Sequence, residues 1–224
     1  MKDDKLGLKK TGRYNVSGLV EAQYEPYSRR RVLKNLLGIR RKREMDRIEA
    51  REHDRALEEL VEIYGQNHRF TAADVSRIHI IWLSPIYAWA GKYRQVNLSK
   101  GNFPFAASSE IPRLMTEFEE GPLCQSTPCR FAEMQSVARA LAVVHAELIL
   151  IHPFRDGNGR VARLLAILMG LQAGLPPLDF GGIRGTKRQE YFAAVQYGLD
   201  RNYEPMEIVF RSVIKRAHRI HDRK

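Results

Sequence analysis

Apolar positions along this chain recur mainly at helical spacing. Leu33, Leu36 and Leu37 open a run that Met45, Ile48, Leu57, Leu60, Val61 and Ile63 continue at roughly i, i+3/i+4, so residues 32–65 are predicted helical. Phe70-Thr71-Ala72-Ala73-Asp74 reads as a helix start with Thr71 as N-cap; Val75, Ile78, Ile81 and Trp82 follow, and Pro85 stops it. From Tyr93 the period changes to two. Tyr93, Gln95, Asn97 and Ser99 alternate with Arg94, Val96 and Leu98, and Lys100-Gly101-Asn102 then turns the chain into Phe103-Pro104-Phe105, a short β-hairpin or flap. Ile111–Phe118 predicts another helix. A long amphipathic helix over 132–151 buries Val137, Leu141, Val144, Leu148 and Ile151 and stops at Pro153. Arg160–Ala173 is apolar almost all round, which predicts a central helix, closed by Gly174 and Pro176-Pro177. Lys187–Leu199 and Pro205–His218 supply two more. The expected fold is mainly α, a helical bundle with one small hairpin, preceded by a polar, turn-rich and loosely structured arm over residues 1–30.

Composition narrows this picture little. The 224 residues are 44% hydrophobic and 28% charged, ordinary for one soluble domain with a short extension. No apolar run approaches the roughly 20 residues of a membrane span, so no membrane partner is expected. The polar N-terminus lacks a signal-type apolar region, and the expected location is the cytoplasm, or a host cell after delivery. Cys124 and Cys129 lie in a Pro/Ser/Thr stretch with no second ligand pair, which reads as two reduced thiols. Charge is more informative. The formal net charge is +11, concentrated in Arg29-Arg30-Arg31, in residues 40–43 and in the C-terminal stretch from Lys215. Such clusters are either a solvated basic face or an attractor for nucleic acid, anionic lipid or acidic protein. No nucleic-acid motif accompanies them, and nucleic acid is not predicted as a partner.

The chemistry concentrates in His152-Pro153-Phe154-Arg155-Asp156-Gly157-Asn158-Gly159-Arg160-Val161-Ala162-Arg163. One helix ends at His152, and Gly157-Asn158-Gly159 leads into the next. Glycines let backbone N–H groups approach a ligand, and a helix N-terminus favours anions, so the turn can cradle phosphate. Arg160 and Arg163 lie three apart on one face, Asp156 can ligate Mg²⁺ at the lip, and His152 can accept a proton near neutral pH. The same residues also read as an ordinary interhelical turn, with His152 as a C-cap and two solvated arginines. No Gly-Lys-Ser/Thr follows, so this is not a P-loop, and His152 with Asp156 lacks the further ligands of a zinc site.

This segment resembles the full signature of Fic proteins, His-Pro-Phe-x-(Asp/Glu)-Gly-Asn-Gly-Arg-x-x-Arg, with each fixed position filled. Tyr24-Glu25-Pro26 with Val32-Leu33-Lys34-Asn35, and Trp89-Ala90-Gly91-Lys92-Tyr93-Arg94, extend the resemblance over about 24–210. It implies a Fic domain at 24–218 between an arm (1–23) and a basic tail (219–224), with the hairpin as a flap over the active site. It implies transfer of AMP from ATP to a Tyr, Ser or Thr hydroxyl of a target protein. His152 would be the general base and Asp156 the Mg²⁺ ligand. Gly157, Asn158 and Gly159 would form the anion cradle, while Arg160 and Arg163 bind the outer phosphates. Ser99, Lys100, Gly101 and Asn102 would line the nucleotide and pair with an extended target segment; Tyr191 and Phe192 would lie near the base. Gly159 and Arg163 separate the chain from the Doc-type kinase branch, which resembles it but has Lys at the first position and lacks the second arginine; transfer of another nucleotide, or an idle basic binding module, are the other readings. The family's inhibitory pattern, Ser/Thr-x-x-x-Glu-Gly/Asn, is met incompletely by Ser17–Ala22, which ends in Ala. Thr116–Gly121 matches its letters in an unexpected place, and after Ser212 the Glu position holds Arg216. The resemblance thus points to a separate small antitoxin-like inhibitor, as in a toxin–antitoxin pair, or to weak inhibition.

Overall fold

The computed structural model describes residues 6–8, as backbone only, and 18–222. Among the described residues, eight helices run in the order α1 Lys42–Ile63, α2 Ala72–Leu83, α3 Ile111–Phe118, a short α4 Cys124–Ser126, α5 Met134–Ile151, α6 Asn158–Gln172, α7 Thr186–Tyr197 and α8 Glu204–His221. The strands are β1 Leu6–Leu8, β2 Leu98–Lys100 and β3 Phe103–Pro104. They form an antiparallel sheet in the order β1-β2-β3, with Gly7 opposite Ser99 and Lys100 opposite Phe103.

α6 is the axis of the fold. From Val161 to Gly170 nearly every side chain is buried, and α1, α2 and α5 pack around it. α5 is long and apolar enough to cross a membrane by length and composition alone, but 61% of it is buried in this core between α6 and α8. α2 starts where a capping box is encoded: Thr71 Oγ1 accepts from the Asp74 N–H, and Asp74 accepts in return from the Thr71 N–H. Tyr64 and His68 also bond Asp74, which fixes the angle between α1 and α2. Cys124 is exposed and Cys129 buried, both as free thiols.

Three expectations change. Residues 32–41 are not helical, because the Asn35 side chain organises a loop instead. Its amide donates to the Leu33 and Ile39 carbonyls and accepts from the Leu37 and Ile39 N–H groups, and Leu36 and Leu37 remain exposed. The alternation after Tyr93 is real in burial, with Arg94, Val96 and Leu98 all inward, but ladder pairing begins only at Leu98. The expected loose arm packs on the domain from Leu19 onward. Glu21 is buried, a 3-10 turn spans Val20–Ala22, and Tyr24 pairs with Leu33. Ser17 and the last two residues of the basic tail lie outside the described residues.

Candidate active site

The turn from α5 to α6 is built by its own side chains. His152 closes α5 in the left-handed region (φ 53°, ψ 58°). Its ring stacks on Phe105 at 3.6 Å, and Nδ1 lies 3.1 Å from the Ile149 carbonyl. A carbonyl can only accept, so Nδ1 carries the proton and Nε2 is left as the basic lone pair. Burial pushes the imidazole down to about 3, against the pull of the Ile149 carbonyl, so the ring is neutral and Nε2 keeps its lone pair.

Asn158 staples the loop: its Oδ1 accepts from the Phe154 N–H and its Nδ2 donates to the Phe154 carbonyl, both at 2.8 Å. Gly157 (φ +83°) is required twice over, since a Cβ there would also meet the Trp82 ring at 2.7 Å. A Cβ on Gly159 would meet nothing within 4 Å, so open space lies over that backbone. The N–H groups of Asn158 and Gly159, at the start of α6, have no intrahelical acceptor, and no loop or side-chain acceptor takes them among the described residues. Such free amides beside open space are the geometry of an anion cradle.

Asp156 accepts from the Gly157 N–H at 2.6 Å and lies 3.9 Å from Arg160, with 44% of its side chain exposed. Burial opposes its ionisation; the Arg160 charge and the Gly157 N–H outweigh that, and the carboxyl sits below the ordinary range. Arg160 is more committed than its sequence position suggests. It donates to Glu49 of α1 at 2.7 Å and lies over the Trp82 ring at 4.3 Å. Glu49 is buried and accepts from Tyr87 as well. Arg163 differs: its Nε is buried with no partner, and its guanidinium faces Phe180 and the Tyr191 hydroxyl. An orphaned guanidinium N–H beside the cradle fits a phosphate oxygen.

Tyr191 is buried. Its hydroxyl lies 2.7 Å from Nε2 of His145, whose Nδ1 lies 3.2 Å from the Ala162 carbonyl. Phe192 meets the flap instead, with Lys100 Nζ 3.2 Å above its ring, so the flap reaches across to α7. Ser99 is buried, and Gly101 (φ +57°) and Asn102 make the exposed tip. β1 pairs along the outer edge of β2.

Several functional neighbours escape a reading by motif. Arg94, 1% exposed, donates to the His152, Val96, Ala106 and Ile151 carbonyls and so ties the base to the flap. His79 accepts from the Gly91 N–H through Nδ1, so its Nε2 donates to the Asp156 carbonyl; it stacks on Phe154 at 4.0 Å. Arg155 donates to the Glu21 carbonyl, and Glu21 accepts from the Gln95 N–H, which docks the arm on the turn. Glu49, His79 and His145 did leave a signal, since each stands on the apolar stripe of its helix, where a polar residue needs a partner.

The fold and this turn define a helical domain with a neutral histidine set against a helix start whose first amides are free. Residues 69–169 match the model of the Fic/DOC family. The chain is 31% identical over 133 residues to protein adenylyltransferase fic-1 of Caenorhabditis briggsae, covering 58% of this chain and 24% of that protein. It is 29% identical over 158 residues to protein adenylyltransferase VbhT of Bartonella schoenbuchensis, covering 69% and 32%. This chain thus spans about a quarter to a third of the length of these relatives. The N-terminal Fic domain of a putative cell filamentation protein from Bartonella quintana, solved with bound ADP, superposes with a TM-score of 0.65 at 26% identity, over 81% of this chain and 89% of that one.

Proposed function

We propose that this domain transfers AMP from ATP to a hydroxyl group of a target protein. The observation that carries the reading is the pairing of a neutral His152, its Nε2 free to accept, with a helix start whose free amides and orphaned Arg163 Nε await an anion. Nε2 takes the hydroxyl proton, the oxygen forms its bond to the α-phosphorus, and the bond from that phosphorus to the bridging oxygen of the β-phosphate breaks, releasing pyrophosphate. The α6 amides hold the phosphates, and Arg163 stabilises charge on the departing group. Asp156 is ionised and half-exposed, and no cluster of three or more ligating side chains surrounds it among the described residues. That suits Mg²⁺, which takes one or two carboxylates and completes its shell with phosphate and water. When bound it would neutralise phosphate charge; Asp156 would be its protein ligand. Relatives named adenylyltransferases and an ADP-bound Fic neighbour support the choice of nucleotide.

The target would add an extended segment to the flap. With β1 on the outer edge of β2, the edge open to it is that of β3. Inhibition would come from a carboxylate supplied by another protein, because no carboxylate pairs with Arg163 among the described residues. Glu21 is bonded to Gln95 instead, and Glu120 of the Thr116–Gly121 stretch is exposed.

The test uses ATP labelled at the α- or the γ-phosphorus, with Mg²⁺ and a bacterial lysate. Protein should take up α-label and no γ-label. His152→Ala should lower uptake by about 10²- to 10⁴-fold. Uptake of γ-label would mean phosphorylation, and a His152→Ala rate within tenfold of wild type would remove the base.

A further inference from the structure

We propose that the cleft between the arm and the start of α1 is a second anion site, built for a compact ligand that carries about three phosphate groups. Two segments meet there. Arg29 and Arg31 come from the turn of the arm, and Arg40, Arg41, Lys42 and Arg43 from the approach to α1 and its first turn. With Tyr27 and Ser28 they line an open cleft of ≈ 390 Å³. This is the size of a small-molecule site.

The cleft gathers cations that no acid among the described residues balances, unlike two exposed helix faces of this chain. Farther along α1, Arg55 pairs with Glu52 and Glu59, and on α3 Arg113 pairs with Glu110 and Glu117. Those arginines have acids three or four residues away. In the cleft Lys42 pairs with Asp46, and the other five cations have no ion pair among the described residues. Like charges converging from separate segments repel, and a bound anion relieves that repulsion. The backbone that brings them together is uncommon as well. Tyr27, Arg29 and Arg30 all take left-handed conformations, with φ of 64°, 54° and 58°. Tyr27 stands at the lip, 90% exposed, with the Arg40 guanidinium over its ring at 5.5 Å.

Charge density selects the ligand class. A phosphate monoester carries about −1.5 to −2 near pH 7, so about three of them answer five uncompensated cations inside one small cleft. An acidic peptide would need about five carboxylate side chains in the same space, and a nucleic-acid strand about five nucleotides, since each supplies one charge per unit. Guanidinium forks also match phosphate oxygens in pairs. The shared chemistry is a cluster of phosphates, whether on a soluble metabolite or on a lipid headgroup. The site uses none of the residues assigned to transfer. It borders them, since the Lys42 charge is among those that favour the ionised Asp156.

Inorganic tripolyphosphate is the probe, titrated calorimetrically into the full chain carrying Arg163→Ala to weaken phosphate binding at the active site. One site should be measured, weakened at least tenfold by Arg29→Ala, Arg31→Ala and Arg41→Ala together and less than twofold by Arg55→Ala with Arg113→Ala. A triple Arg→Lys variant, which keeps the charge and loses the forks, should fall between, and covers the case in which the alanine triple unfolds. Absent binding, or binding indifferent to the three arginines, would overturn the proposal. So would a single-stranded RNA 12-mer that binds more than tenfold tighter than tripolyphosphate through the same arginines. Free inositol trisphosphate and vesicles of phosphatidylcholine with phosphatidylinositol bisphosphate then separate the sources. Arginine-dependent binding of the first alone assigns a soluble ligand, and arginine-dependent vesicle capture assigns a headgroup.

Discussion

Around the α5–α6 turn, Arg94, Arg155 and Arg160 are each committed to partners, whereas Arg29, Arg31, Arg41 and Arg43 at the start of α1 have no ion pair among the described residues. The same side chain does opposite work in the two places. A buried guanidinium must replace every water it loses, so it becomes a bracket between backbone carbonyls or a carboxylate. An exposed one keeps its hydration and its charge stays available to a ligand. The turn is therefore a scaffold in which only Arg163 Nε and the first α6 amides are left over. The cleft is the reverse, nearly all of its charge unspent.

The largest effect should come from breaking the bracket. Arg94→Met leaves buried carbonyls of His152, Val96 and Ala106 without a donor, and should destabilise the domain by about 3–5 kcal/mol in denaturant unfolding. A loss under 1 kcal/mol would show that those carbonyls find water and that the contrast with the cleft is overstated.

Protons offer a second way in. Burial holds His79 at about 4 and His145 and His152 at about 3, while their unfolded values lie near 6.5. The unfolded chain then binds protons that the folded one refuses. Stability is complete above pH 6.5 and lost as pH falls from there toward 3, by roughly 2 kcal/mol per histidine between pH 7 and 5. Unfolding free energies that stay level over that range would mean the three imidazoles are not kept neutral. Labelling of a target should also lack an acid limb near 6.5 from His152, since its base form persists well below that pH.

The smallest effect belongs to the cleft. Arg41→Ala should change stability by less than about 0.5 kcal/mol, as for surface substitutions without partners. A loss above 1.5 kcal/mol would mean that Arg41 is a bracket like Arg94.

How much of this was legible in the sequence follows from where partners lie along the chain. Helices with a long apolar stripe or a clear cap, such as α2 after Thr71 and α5 before Pro153, could be read locally. The turn from His152 to Arg163 was legible because its chemistry is contiguous. The loop over 32–41 was not, since leucines at helical spacing say nothing of an asparagine that bonds four backbone groups around itself. The supporting residues were hidden by distance: Glu49 and Arg160 are 111 positions apart, His79 and Asp156 77, Arg155 and Glu21 134. Only a folded chain brings such pairs together.

Arg94 also decides how this domain can open. It binds carbonyls on both sides of the flap, Val96 and Ala106, and the last two of the α5 end, Ile151 and His152. The root of the hairpin and the helix that ends at His152 are thus tied into one unit. A lid swinging from its root would have to tear several buried charged hydrogen bonds to open. At the tip, by contrast, a Cβ added to Gly101 (φ +57°) would meet nothing within 4 Å. On the proposed function, nucleotide would enter and leave past the tip, while His152 and the flap root keep their register.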